Sequence, residues 1–329
     1  MRTVLLISGK FATISIMEKE ETMVQGALVV GLNPTFQETM EFNNYLSGEV
    51  NRATSHRLDA SGKGMNVARV LSQLQIPTRL LTHLGGSRVE EFLTLAREDG
   101  VRLIWTPSGS VIRTCVTVID HGGHLVTELV QEPHAVAAST DQMIRELYSA
   151  ALEPVQWVVI PGTRAPGYSP HLYADLVQEA KGAGKSVLLD YRGRDLEESL
   201  PMGADVVKPN LSEFVATFFP DHPALGEHDE SESLKRLVKG KMQHIYDSYG
   251  SKTVVSRGGD PLWAWDGSVF FEIESLNVHA VNTIGCGDAF SGGFVAAMVR
   301  GSSFEEALHN GIEAAAKNAQ TLRPGALWD

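Results

Sequence analysis

The densest chemistry in the chain lies near its C-terminal end, in Asn282-Thr283-Ile284-Gly285-Cys286-Gly287-Asp288. A glycine-rich turn there opens a helical pattern that runs to about Arg300, and Asp288 falls in its first turn. Exposed backbone N–H groups and the helix dipole make such a start an anion site. Glycines at the turn let a phosphate approach without a Cβ in the way. An acceptor beside a phosphate cradle suits phosphoryl transfer, where it takes the proton of an attacking hydroxyl. The same string also fits a plain loop–helix junction with a favourable acidic first turn. Its spacing is neither that of a G-x-x-x-x-G-K-[ST] P-loop nor that of a dinucleotide fingerprint opening an early βαβ unit.

Two further stretches have residues of the right type. Ser61-Gly62-Lys63-Gly64-Met65-Asn66 puts a lysine between glycines just before an amphipathic pattern with Met65, Ala68, Leu71 and Leu74 on one face. It reads as a second anion site or as a capping turn with a solvated lysine. In Lys208-Pro209-Asn210-Leu211-Ser212-Glu213 the amide and the carboxylate stand three apart at a helix start. That is the spacing of an Asn N-cap with a reach-back Glu, and equally of a pair aimed at a ligand. Asp190 ends an apolar run, where open α/β sheets place their ligands.

The elements that would position these residues alternate as strand and helix. Gly26 to Leu32 is the first core strand, closed by Pro34. At least five strand–helix units imply a largely parallel sheet covered by helices on both faces. Two alternating runs, Val111 to Ile119 and Leu125 to Val130, interrupt that rhythm as a hairpin. With short strands before Ala60 they make a small separate sheet, a candidate lid. Ser275 to Val281 reads as a strand leading into the signature turn, Pro220 to Glu232 as a surface loop, and Phe304 to about Leu322 as the last helix. Residues 1–25 read either as an N-terminal extension or as an over-long start before Met23, ahead of a domain spanning 26–329 with lid strands from about 35–60 and 110–131.

The 329 residues are 43% hydrophobic and carry a net charge of -12, which disfavours bulk binding to nucleic acid or an anionic membrane. An anionic substrate then needs a local basic pocket. No signal peptide or membrane span is evident. Two cysteines, Cys115 and Cys286, suggest no disulfide framework and fit a reducing cytoplasm. Cys286 sits where a helix N-terminus would lower a thiol's pKa.

Taken together, Ser61-Gly-Lys-Gly64 with Asn66-Val-Ala-Arg69, the run from Lys208 to Glu213, and the run from Thr283 to Asp288 resemble the ribokinase-like (PfkB) carbohydrate kinases, from about residue 26 to the C-terminus. Asn33-Pro34, Val50-Asn51-Arg52, Arg113 to Ile119, Thr127 to Leu129 and Asn282 are similar to its phosphosugar branch, the 1-phosphofructokinases and tagatose-6-phosphate kinases. The resemblance implies a three-layer α/β/α domain with a β lid, and transfer of the ATP γ-phosphoryl group with Mg²⁺. By motif, Asp288 is the general base and Gly285, Cys286 and Gly287 form the anion hole. Asn210 and Glu213 orient Mg²⁺ through water. Lys208, Ser256, Gly258, Gly259 and Asn318 line the nucleotide side. Asn33, Gln37, Gly62, Lys63 and Asn66 meet the sugar, and Lys63, Arg113 and Arg52 meet the phosphate it carries. A homodimer through the lid is also implied, and the alternation at Val116, Val118 and Leu125 permits it.

Three segments depart from the family pattern. Gln37 replaces a sugar-binding Asp, Ile160 to Gly167 replaces a Ser-Gly-Ser-Leu-Pro type of loop, and Asp190-Tyr191-Arg192-Gly193 replaces Asp-Thr/Ala-Ser-Gly. Arg164 and Arg192 in these segments either add charge at the sugar-phosphate side or lie on the surface. The expectation is a kinase of a phosphorylated ketohexose such as fructose 1-phosphate or tagatose 6-phosphate. Its rivals are a kinase of an unphosphorylated sugar, polyol or nucleoside, and a catalytically idle sugar-phosphate sensor.

Overall fold

A computed structural model describes residues 3–7, 10–14, 26–221 and 231–328. Most of the loop read between Pro220 and Glu232 lies outside these. In chain order come β1 (Thr3–Ile7), β2 (Lys10–Ile14), β3 (Gly26–Val30), β4 (Thr35–Phe42), β5 (Ser55–Ser61), α1 (Lys63–Gln73), β6 (Thr78–Leu84), α2 (Val89–Glu98) and β7 (Arg102–Pro107). The lid hairpin β8 (Arg113–Asp120) and β9 (Leu125–Leu129) precedes α3 (Ala138–Ala151), β10 (Val155–Pro161), α4 (Leu172–Gly182), β11 (Ser186–Asp190), α5 (Arg194–Ser199) and β12 (Val206–Val207). The chain closes with α6 (Leu211–Phe218), α7 (Glu232–Tyr249), β13 (Lys252–Arg257), β14 (Asp260–Trp265), β15 (Phe270–Ile273), α8 (Cys286–Val299) and α9 (Phe304–Ala319).

The large sheet runs β1-β2-β7-β6-β3-β10-β11-β12-β13-β14-β15. Every pairing from β7 to β13 is parallel, and the flanking pairs are antiparallel. Within residues 1–25, β1 and β2 form a hairpin whose second strand pairs with β7. The central strands are apolar on both faces because both faces are covered. Leu28 and Val30 of β3 join one core with Ile144 of α3, Leu176 of α4, Phe214 of α6 and Val238 of α7. Their neighbours Ala27 and Val29 join the other with Val67 of α1, Phe92 of α2, Phe294 of α8 and Leu308 of α9. The two-residue period of the strand thus sorts side chains between two helical layers.

The second sheet, β5-β4-β8-β9, stands apart. Strand β4 pairs antiparallel with β5 and parallel with β8, which carries β9 at the free edge. The segment from Ser275 to Val281 is not a strand. It is largely exposed coil, and the N–H groups of Val281 and Asn282 donate to the carbonyl of Ala319 at the end of α9. Apolar alternation there has no neighbouring strand to satisfy.

Candidate active site

The parallel strands all end on one edge of the sheet, and the site is built from their last residues and the loops beyond them. Asn33 lies just after β3, Gly162 and Thr163 just after β10, Asp190 ends β11, and Asn210 comes soon after β12. A cavity of about 480 Å³ opens there. Its lining includes Asn33, Lys63, Arg113, Arg192, Asn210 and Glu213.

Asp288 lies in the first turn of α8 beside this cavity, only 5% exposed. Its Oδ2 accepts a 2.8 Å hydrogen bond from Asn66 Nδ2. The Asn66 amide has one orientation, because its Oδ1 accepts from Ser61 Oγ at 2.9 Å and from Arg69 Nη1 at 3.2 Å. Asn66 therefore serves the carboxylate, and through Ser61 it also touches the root of the lid. Burial pushes the Asp288 carboxyl up to about 6, helped by the nearby Asp190; Lys63, the Asn66 hydrogen bond and Lys208 pull the other way. A carboxylate tuned toward neutrality is what a general base needs.

The turn before Asp288 is held from behind. Gly285 adopts the left-handed conformation at φ 85°, and a Cβ there would lie 2.6 Å from the Gly325 nitrogen. The Asn282 side chain accepts from the Ile284 N–H at 3.0 Å and donates to the Leu322 carbonyl at 2.9 Å. An amide does both and a carboxylate does not, which accounts for Asn at this position. The Cys286 N–H donates to the Thr283 carbonyl at 3.3 Å, so the amides of Gly287 and Asp288 are the better-placed anion donors. At Cys286 burial and the Asp288 charge push the thiol up to about 12, the opposite direction to the one expected at a helix N-terminus.

Lys63, expected at the sugar phosphate, lines the cavity. Its Nζ sits 3.7 Å from Glu213 Oε1 and 3.9 Å from Asp190 Oδ1. Burial opposes its charge, but Asp190, Glu213 and Asp288 outweigh that and raise its pKa. Lys63 thus faces both these acidic groups and the cavity. Asp190 was legible only as a strand-end residue; it is buried, 2.9 Å from Lys208 Nζ, and accepts from Ser291 Oγ at 3.0 Å. Burial would raise its pKa, yet Lys208 and Lys63 hold it below the ordinary carboxylate range. Lys208 is itself 2% exposed, and a Cβ on Gly287 would stand 3.7 Å from its Nζ. It lies beneath the anion turn, outside the cavity lining.

The remaining residues divide clearly. Asn210 and Glu213 form a complete capping box, Asn210 Oδ1 accepting from the Glu213 N–H at 2.7 Å and Glu213 Oε2 from the Asn210 N–H at 3.1 Å. Glu213 Oε1 is left facing Lys63, and both residues line the cavity. Arg113 Nη1 donates to the Gln131 carbonyl at 2.9 Å, while its Nε is buried and makes no hydrogen bond among the described residues. The buried Oδ1 of Asn33 likewise makes none. Gly62, at φ 99°, packs its turn against the Asn33 carbonyl. Gln37 is buried within the lid sheet, donating to Thr117 Oγ1 at 2.8 Å, and does not line the cavity. Arg52 is exposed on the lid and likewise stands outside the lining. Ser256 bridges to Asn210, and Gly258 and Gly259 turn the chain from β13 into β14. Asn318 is buried, and its amide donates to the carbonyls of Arg323 and Ala326 at 2.9 and 3.1 Å. It fastens the C-terminal segment that backs Gly285.

The chain matches the pfkB family carbohydrate kinases over residues 30–328 and belongs to that family. It is therefore a sugar or sugar-phosphate kinase, a phosphotransferase with an alcohol acceptor, and kinases of this family use ATP. Its fold is similar to that of phosphofructokinase-2 from Escherichia coli in complex with fructose-6-phosphate, with a TM-score of 0.80 at 20% identity over 92% of this chain and 96% of that one. A possible 1-phosphofructokinase from Thermotoga maritima aligns with a TM-score of 0.78 at 21% identity, covering 90% and 92% of the two chains. Ribokinase from Arabidopsis thaliana, complexed with ribose and ATP, aligns at 0.67 and 20% identity over 92% and 95%.

Proposed function

We propose that this kinase phosphorylates a hydroxyl of an already phosphorylated ketohexose. The observation that carries this reading is that three cations, Lys63, Arg113 and Arg192, line one cavity together with Asn33. A phosphate suits the guanidinium and a sugar hydroxyl suits the amide oxygen. The acidity of the whole chain, at a net charge of -12, makes a cationic cavity a local feature rather than a general one.

In this reading Asp288 accepts the proton of the attacking hydroxyl, and the amides at the start of α8 receive charge on the transferring phosphoryl group. The retained base favours catalysis over an idle sensor. Mg²⁺ would neutralise phosphate oxygens when bound. Mg²⁺ is usually held by one or two carboxylates, waters and substrate phosphates. Asn210 and Glu213 would orient it through water, both lining the cavity. The nucleotide would lie toward Ser256, Gly258 and Gly259. The exposed lid edge supports a homodimer.

A coupled ADP-release assay with Mg-ATP tests the reading against fructose, fructose 1-phosphate, fructose 6-phosphate, tagatose, tagatose 6-phosphate and a nucleoside. Turnover is expected with a phosphorylated ketose and not with its unphosphorylated partner. Turnover confined to unphosphorylated acceptors would overturn it, and tight binding without turnover would favour the sensor.

A further inference from the structure

We propose that Arg192 is a phosphate-binding residue of this cavity and determines its preference for an anionic ligand. The inference deepens the sugar-phosphate reading and rests on it. Arg192 is mounted on a short, fixed segment. On one side Tyr191 is buried against Tyr173, ring centres 4.9 Å apart, with its hydroxyl donating to Ser199 Oγ at 2.8 Å. On the other side Gly193, at φ 72°, donates its N–H to Thr217 Oγ1 at 2.9 Å and caps α5. Between these anchors the Arg192 side chain is exposed, lines the cavity and makes no ion pair with any described residue.

The two other cations nearby are partly committed. Lys63 faces Asp190 and Glu213, and Arg113 donates to the Gln131 carbonyl. Arg164, in the neighbouring loop after β10, is fully spent: Nη1 pairs with Asp195 Oδ2 at 2.5 Å, Nε donates to the Ser169 carbonyl and Nη2 to that of Pro170. Of the two extra arginines, one braces a loop and the other presents an unpaired planar fork to the cavity, the group suited to bidentate phosphate contact. The phosphate comes either from the acceptor or from the end of the nucleotide, since β11 lies between the Asn33 and Ser256 sides of the sheet.

The test compares wild type, Arg192→Ala and Arg192→Lys in steady-state kinetics with ATP, fructose, fructose 1-phosphate and fructose 6-phosphate, with thermal melts to confirm equal folding. Arg192→Ala is expected to raise KM for the phosphorylated ketose roughly 10- to 100-fold. KM for ATP should stay within about threefold of wild type, and fructose should remain without turnover in all three proteins. Arg192→Lys should recover part of the loss, because charge returns without the fork. A rise in KM for ATP with every acceptor would instead assign the residue to the nucleotide's phosphate and keep it as a phosphate ligand. Changes within about threefold throughout would overturn the proposal. A wild type that uses only unphosphorylated acceptors would sink the sugar-phosphate reading, leaving the ATP arm to decide Arg192.

Discussion

At the scale of single residues, the Asp288–Asn66 contact makes predictions of opposite sign for activity and stability. Asp288→Asn should lower kcat by roughly 10²–10⁴-fold with ATP affinity little changed, the loss expected for a general base; a loss under about tenfold would remove Asp288 from that role. Burial raises this carboxyl from 3.8 to about 6. The stability linked to its neutral form is fully present below the ordinary value and lost as pH rises through about 6. Wild type therefore carries the full cost of the buried charge at pH 8. Asp288→Asn should be more stable than wild type there, by on the order of 2 kcal/mol, with the gain vanishing near pH 4. Urea unfolding at the two pH values reads that difference. In kinetics the same group sets an acid limb, so kcat/KM should fall as pH drops through about 6. Asn66→Ala removes a hydrogen bond that favours the carboxylate, and should move that limb upward by about 0.5–1 unit. A limb that stays in place while only KM for the sugar rises would make Asn66 a substrate contact alone.

At the scale of elements, the start of α8 depends on a segment almost forty residues later in the chain. Gly285 packs on Pro324 and Gly325, and Arg69 donates to the Pro324 carbonyl at 2.6 Å while pairing with Asp99 at 3.0 Å. Arg323 completes this buried network through Asp59 at 2.8 Å and through Asp99. Gly285→Ala combines a left-handed φ with backbone atoms that cannot yield, so it should cost at least about 2 kcal/mol and at least tenfold in kcat. Gly203→Ala is the control: its φ is 81°, but nothing lies within 4 Å of the added Cβ. It should cost about 1 kcal/mol and leave kcat unchanged. Much of the fold was legible because β3, β10 and β11 are short and apolar, and because the lid alternates around Asp120 to Gly123. The capping box at Asn210 was legible from three-residue spacing. The contacts that tune Asp288 were not, since Asp190, Lys208 and Ser291 meet only when three separate strand-end and helix-start segments converge. Local pattern likewise misread Ser275 to Val281, whose Leu276 is 52% exposed.

At the scale of the whole molecule, the lid leaves its edge open. All five residues of β9 are exposed, and Leu125, Leu129 and Val130 are 62%, 55% and 52% exposed. Tyr45, Leu46 and Val50 on the neighbouring lid loop are exposed as well. An unpaired, apolar edge strand is a pairing surface that monomeric proteins usually blunt with charge or proline. Strand β9 has Glu128 as its one charged residue, and its partner β8 supplies Arg113 to the cavity. A second copy covering this edge would therefore steady a strand that carries a cation of the cavity lining. The double substitution Leu125→Glu and Leu129→Glu places like charges across such an interface. Light scattering should show wild type as a dimer and the variant as a monomer at equal concentration. Because β8 would lose its brace, the variant's KM for the phosphorylated ketose should rise more than its KM for ATP. A wild type that is monomeric at micromolar concentration would leave the lid to close alone, and the same substitutions should then change neither constant.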